Sequence, residues 1–340
     1  MKWPDSKILI GAGLTAGAAA AWMMTRPSPS LSGRVVLITG GSKGLGLALA
    51  REFGRRNCIV AICARGTESL EAAERMLREE GIEVTAVQCD ITSQPAVQEM
   101  VDAIEDKYGR IDVVINNAGE ILVGPLETLS SSDFTRAMDV MFWGPLHTTL
   151  AVLPSMRRRG TGRIVNITSI GGKVAVPHLI PYCCAKFAAT ALSEGLRAEL
   201  KQDGIRVTTI VPGLMRTGSY VNAHFKGDTR KESAWFSVAS STPGIAMHAG
   251  RAASKIADAV ARGSSELVLT PQADFLARVN GALPGAVPEI LSWINRWLPE
   301  PGDAASYDRG LNLMSMQGRL HHLLTAPGRH AGARLNQAQA

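Results

Sequence analysis

Seven short apolar runs, at 35–39, 58–63, 84–89, 112–116, 163–168, 206–211 and 267–270, recur along the chain. They read as near-continuous Val/Ile rows, which is what strands covered on both faces of a parallel sheet require. Between them lie longer amphipathic stretches with helical period, at 69–80, 94–108 and 134–156. This strand–helix alternation predicts an α/β fold: a single Rossmann-like, doubly wound parallel β-sheet flanked by helices, with its ligand at the carboxyl ends of the strands. The chain has 340 residues, 46% hydrophobic and only 5% aromatic, enough apolar material for one large core and against an all-β design. The predicted catalytic domain covers 33–271, followed by an amphipathic helical extension at 272–298 and a loose tail at 299–340 containing one short helix near 311–324.

The first run leads directly into Thr39-Gly40-Gly41-Ser42-Lys43-Gly44-Leu45-Gly46 and then a helix-like stretch. Glycines in such a turn let backbone N–H groups approach a pyrophosphate, and the following helix N-terminus favours negative charge. A glycine-rich stretch alone is weak evidence; its position after a strand and before a helix in the first βα unit makes it a dinucleotide site.

Tyr182 and Lys186 stand one helical turn apart, and Ser169 lies upstream. A Tyr hydroxyl, with a reference pKa of about 10, is a poor acid or base at neutral pH on its own. A lysine at i+4 shares its helix face and favours the phenolate electrostatically. The pair suggests proton transfer, provided a redox partner is near.

Taken together and in order, Thr39-Gly40-x-x-x-Gly44-x-Gly46, Asn116-Asn117-Ala118-Gly119, Ser169, Tyr182-x-x-x-Lys186 and Pro212-Gly213 resemble the short-chain dehydrogenase/reductase family. The thirteen-residue interval from Ser169 to Tyr182 is typical of that family. The resemblance implies an NAD(P)-dependent oxidoreductase acting on a small-molecule carbonyl or alcohol. Tyr182 would be its acid/base, Lys186 would lower the Tyr182 pKa and hold the nicotinamide ribose, and Ser169 would orient the substrate oxygen. It places Gly40, Ser42, Lys43, Leu45, Gly46, Asn117, Ala118, Gly119, Pro212, Gly213 and Thr217 around the cofactor. Asp90 and Ile91 would lie near the adenine, although Asp90 also precedes a helix, where a capping role is open to it, Thr92 or Ser93. One position departs from the family: Met141 stands in Val140-Met141-Phe142-Trp143-Gly144 where many members carry Asn. A thioether cannot hold a water as an amide does. The usual proton relay is therefore in doubt, and a nucleotide-binding scaffold or sensor with little turnover is the rival reading.

Charge argues the choice of cofactor. The second strand ends Cys63-Ala64-Arg65 with no carboxylate to bind a ribose 2′-OH. Arg65 and Lys43 instead suit a 2′-phosphate, so NADP(H) is preferred and NAD(H) is the alternative. The 214–245 insert, with Tyr220, Phe225, Trp235 and Phe236, reads as a substrate lid. Val174, Ala175, Val176, Pro177 and His178 would border the same substrate. Such apolar lining predicts a lipophilic substrate.

The net charge of +6 is dispersed apart from Arg157-Arg158-Arg159, which has no interleaved aromatics and predicts no nucleic-acid binding. Five cysteines lack metal-ligand spacing and read as reduced thiols, with no metal expected. Residues 8–25 carry no charge, are bracketed by Lys7 and Arg26, and have Trp3 and Trp22 near their ends. They read as an N-terminal hydrophobic helix anchoring 1–32 to a membrane, with the catalytic domain cytosolic. A cleaved signal peptide and an unanchored cytoplasmic protein are the alternatives. Trp293 and Trp297, at i,i+4 on an apolar face, fit a core helix, a homo-oligomer contact or a membrane-facing surface.

Overall fold

The computed structural model describes residues 30–302 and 306–337. The apolar run at 8–25, and with it the expected anchoring helix, lies outside them. Among the described residues no helix is long and apolar enough to cross a membrane.

Numbered in chain order, strands β1 (Val35–Thr39), β2 (Ile59–Ala64), β3 (Val84–Gln88), β4 (Val113–Asn116), β6 (Gly162–Ile167), β7 (Ile205–Val211) and β11 (Glu266–Val268) form one sheet. Its order is β3-β2-β1-β4-β6-β7-β11, and every pairing is parallel. The order reverses between β1 and β4, which opens a crevice at their carboxyl ends. Helices α1 (Gly44–Arg55), α2 (Thr67–Glu79) and α8 (Ala249–Arg262) bury Leu47, Leu77 and Ile256 on one face. Helices α3 (Gln94–Tyr108), α5 (Gly144–Arg159) and α6 (Ile180–Leu200) bury Met100, Val152 and Ala185 on the other. The strands carry few polar residues because helices cover both faces.

Three elements differ from the sequence reading. The helix expected over 134–156 is instead α4 (Ser131–Met138), a π turn at Asp139–Trp143 and α5. Pro145, in the first turn of α5, has no N–H to continue a regular ladder through this point. Met141 sits in that π turn.

The lid aromatics do not line the cleft that reaches Tyr182. Tyr220, Phe225 and Phe236 are buried with Val123 and Leu313 in a small core of their own. It lies beside a second sheet in which β9 (His224–Lys226) is flanked by β5 (Leu122–Val123) and β12 (Tyr307–Arg309). Helix α7 (Thr229–Ser241) completes the lid, and β8 (Met215–Arg216) pairs in parallel with β10 (Met247–His248) beside its two ends.

The tail expected to be loose contributes β12, α11 (Gly310–Met314) and α12 (Arg319–Arg334). Its glycines serve close backbone approach: a Cβ on Gly310 would stand 1.9 Å from Tyr220 O. Composition suggested looseness, but each such contact is long-range and leaves no local signal. In the helical extension, α9 (Pro271–Ala282) and α10 (Ala286–Asn295) are both formed. Trp293 is 58% exposed and Trp297, just beyond α10, 76% exposed, which removes the core-helix reading of that pair.

Candidate active site

The crevice between β1 and β4 is laced by Thr39. Its Oγ1 accepts the N–H groups of Asn117 at 3.0 Å and Ala118 at 3.1 Å. Asn117 Nδ2 returns bonds to Thr39 O at 3.0 Å and Gly40 O at 3.2 Å. Two glycines are sterically required here. Gly40 has φ +64°, and a Cβ on it would meet Ala118 Cα at 2.8 Å; a Cβ on Gly46 would meet Gly40 O at 2.1 Å. The turn is thus a close-packed cradle against the N-terminus of α1, the form a pyrophosphate needs.

Around it, Leu45 and Ser42 are buried, Lys43 is half-buried and Arg65 is exposed at the end of β2. Burial, and next the charge of Arg309, lower the Lys43 pKa. Thr217 is buried next to Gly44 and accepts the Ser219 N–H at 3.3 Å. Pro212 O accepts the Ile170 N–H at 2.8 Å, and a Cβ on Gly213 would meet Thr270 Oγ1 at 2.7 Å. Asp90 does not cap α3. Its Oδ1 accepts from Thr92 N at 3.0 Å and Thr92 Oγ1 at 2.9 Å, while Ser93 accepts the Ala96 N–H as the cap. Ile91 is buried and packs where a Cβ on Gly144 would fall.

Ser169, Tyr182 and Lys186 come together beyond β6. Ser169 Oγ accepts the Gly171 N–H at 3.0 Å, and a side chain on Gly171 would meet the Tyr182 ring at 3.1 Å, so the two residues share one corner of the site. Lys186 is 5% exposed; its Nζ donates to Ile167 O at 2.8 Å and lies 5.8 Å from the Tyr182 ring centroid. Burial pushes the Tyr182 phenol up to about 12, against the opposing pull of the Ser169 hydroxyl. Burial lowers Lys186 to about 8. The depression of Tyr182 expected from Lys186 does not appear, and desolvation disfavours the charged form of each group. Met141 packs beside Gly119, its Sδ 3.6 Å from the position a Cβ there would take; Lys186 Nζ lies 3.8 Å from the same point.

A small open cleft reaches Tyr182. Its apolar wall is Leu122, Ala137 and Met141, and Glu120, Arg136, His224 and Tyr307 make a polar cluster in its lining. Arg136 Nε pairs with Glu120 Oε1 at 2.7 Å and its Nη1 donates to Tyr307 Oη at 3.2 Å. Tyr307 Oη is 2.7 Å from His224 Nδ1, with the two rings stacked. Burial first, then Arg136, Arg309 and Arg65, lower the His224 pKa to about 4, so its imidazole is neutral at pH 7. No motif marks these four residues. Only Glu120 carried a signal, by following Gly119.

His178 was expected to border the substrate. It is buried in the left-handed region at φ +61°, and its Nδ1 lies 2.7 Å from Glu232 Oε1. Glu232 is wholly buried and its Oε2 accepts from Trp235 Nε1 at 2.7 Å. This link ties the loop before Tyr182 to lid helix α7. The thiols of Cys58, Cys63, Cys89 and Cys183 are all raised, chiefly by burial, and stay protonated.

These features define a dinucleotide-dependent oxidoreductase of alcohol and carbonyl groups. Residues 34–225 match the model of the short chain dehydrogenases, and the chain belongs to the short-chain dehydrogenase/reductase family. It is 34% identical to a dehydrogenase/reductase SDR family protein 7-like of Anopheles gambiae, over 79% of this chain and 84% of that one. The actinorhodin polyketide ketoreductase, solved with NADPH, is 31% identical with a TM-score of 0.62, over 70% of this chain and 95% of the other. A xylitol dehydrogenase bound to NAD+ is 28% identical with a TM-score of 0.61, over 70% and 98%.

Proposed function

We propose that the chain interconverts a carbonyl and an alcohol with NADP(H), using Tyr182 as proton donor or acceptor and Ser169 to orient the substrate oxygen. One observation carries the reading: Tyr182 stands at the cleft beside Ser169, with a buried ammonium one helical turn on. The cofactor, when bound, gives or takes the hydride. Among the described residues, Lys186 Nζ is hydrogen-bonded to Ile167 O alone, which leaves N–H donors for ribose hydroxyls. Tyr182 holds its proton at neutral pH, the state that carbonyl reduction consumes. Arg65 and Lys43 support NADP(H), as two cations flanking the turn with no carboxylate at the end of β2. Leu122, Ala137 and Met141 suit an apolar part of the substrate, and the Arg136–Tyr307 rim a polar end.

The test is oxidation of NADPH and NADH, in parallel, against a panel of ketones. Turnover favouring NADPH is expected. Tyr182→Phe is expected to lose about 10²-fold or more in rate while binding NADPH as before, because one positioned acid contributes that much. Full activity in that variant would show the proton comes from elsewhere.

A further inference from the structure

The C-terminal extension docks on the glycine-rich turn. Leu335 O accepts the Gly44 N–H at 2.9 Å. Asn336, left-handed at φ +57° and buried, donates to Ser42 O at 2.9 Å and Ser69 O at 2.8 Å. The Gln337 amide fills the space a side chain on Gly44 would need, its Nε2 2.7 Å from that Cβ position. Gln337 Oε1 accepts from Asn222 Nδ2, and Asn222 Oδ1 accepts from the Arg309 guanidinium. A continuous line of contacts thus runs from Arg309 on β12 through Asn222 and Gln337 to Gly44.

Arg309 has a neutral amide as its partner and makes no ion pair among the described residues. The carboxylate next to it in the chain, Asp308, accepts from the Thr229 hydroxyl at 2.9 Å. The Arg309 charge acts on Lys43, and together with Arg65 on His224. A guanidinium held by a neutral amide keeps its charge for an anion placed beside it. The helix N-terminus beside these cations favours the same sign of ligand.

We propose that Arg309 is a phosphate contact of the bound dinucleotide, carried to the glycine-rich turn by the C-terminal extension. It lies outside residues 34–225, the region the family shares, and rests on the dinucleotide-binding reading. The phosphate is either the pyrophosphate, common to both cofactors, or the 2′-phosphate of NADP(H).

The test is the Kd of the full chain for NADPH and for NADH, by fluorescence titration. Arg309→Gln keeps an amide donor for Asn222 and removes the charge; thermal unfolding run alongside shows whether the fold persists. A Kd about tenfold higher is expected, the loss of one charge-assisted contact, with most of the affinity restored in Arg309→Lys. Weakening of NADPH alone assigns the 2′-phosphate; equal weakening of both assigns the pyrophosphate. Unchanged Kd values in Arg309→Gln overturn the proposal, as does an Arg309→Lys variant as weak as Arg309→Gln. An unaltered chain that binds neither dinucleotide would sink the cofactor reading itself, a separate result.

Discussion

Tyr182 and Lys186 are shifted in opposite senses by one cause, burial. Only the phenol donates a proton to a carbonyl, and only the phenolate takes one from an alcohol. With Tyr182 raised to about 12 and Lys186 lowered to about 8, both are predominantly protonated at pH 7. Reduction is therefore predicted to hold through neutral pH and to fall in the alkaline range as Lys186 and then Tyr182 lose protons. Alcohol oxidation, which needs the base, is predicted to climb over the same range. Initial rates in both directions between about pH 6 and 10, a span around the Lys186 value, check this; a reduction rate that climbs from neutral to alkaline pH contradicts it. Arg65→Asp is predicted to move preference from NADPH toward NADH, because a carboxylate repels a 2′-phosphate and accepts from a 2′-OH. An unaltered ratio of kcat/KM for the two cofactors would remove Arg65 from the phosphate site. At this scale the Ser169, Tyr182 and Lys186 spacing was legible in the chain. The direction of the Tyr182 shift was not, since desolvation depends on residues packed around it from distant segments.

The elements that hold the site are set by close approach and buried pairing. Gly46→Ala places a methyl 2.1 Å from Gly40 O, so the turn must shift; loss of NADPH binding is predicted, read by the same titration. Glu232 is the acceptor for both His178 and Trp235. Glu232→Ala strands one buried and one half-buried donor and is predicted to cost about 3 kcal/mol in urea unfolding. Because the link joins lid to catalytic loop, KM for substrate is expected to rise more than kcat falls. A midpoint equal to that of the unaltered chain would show that the pair does not fasten the lid. The strand periods announced the seven-stranded sheet to within a residue or two. The π turn at Met141 was not announced, because an amphipathic stretch looks the same with or without one extra residue in its turn.

Across the molecule, the C-terminal extension is part of the catalytic body. Leu313 is 2% exposed in the lid core and Leu335 7% exposed in the main core, each burial contributing roughly 1.5–3 kcal/mol. Deleting residues 306–340 is predicted to lower the urea midpoint and to weaken dinucleotide binding together. Equal stability of the shortened chain would mean that these burials contribute nothing. The parallel sheet, the glycine-rich turn and the Ser–Tyr–Lys set follow from short-range patterns: runs of Val and Ile, a strand–turn–helix junction, a one-turn helical interval. The buried lid aromatics, the Glu120–Arg136–His224–Tyr307 rim and the docking of 335–337 came only with the fold. Each joins segments far apart in the chain, and such contacts are chosen by packing and desolvation, which no local run of residues encodes.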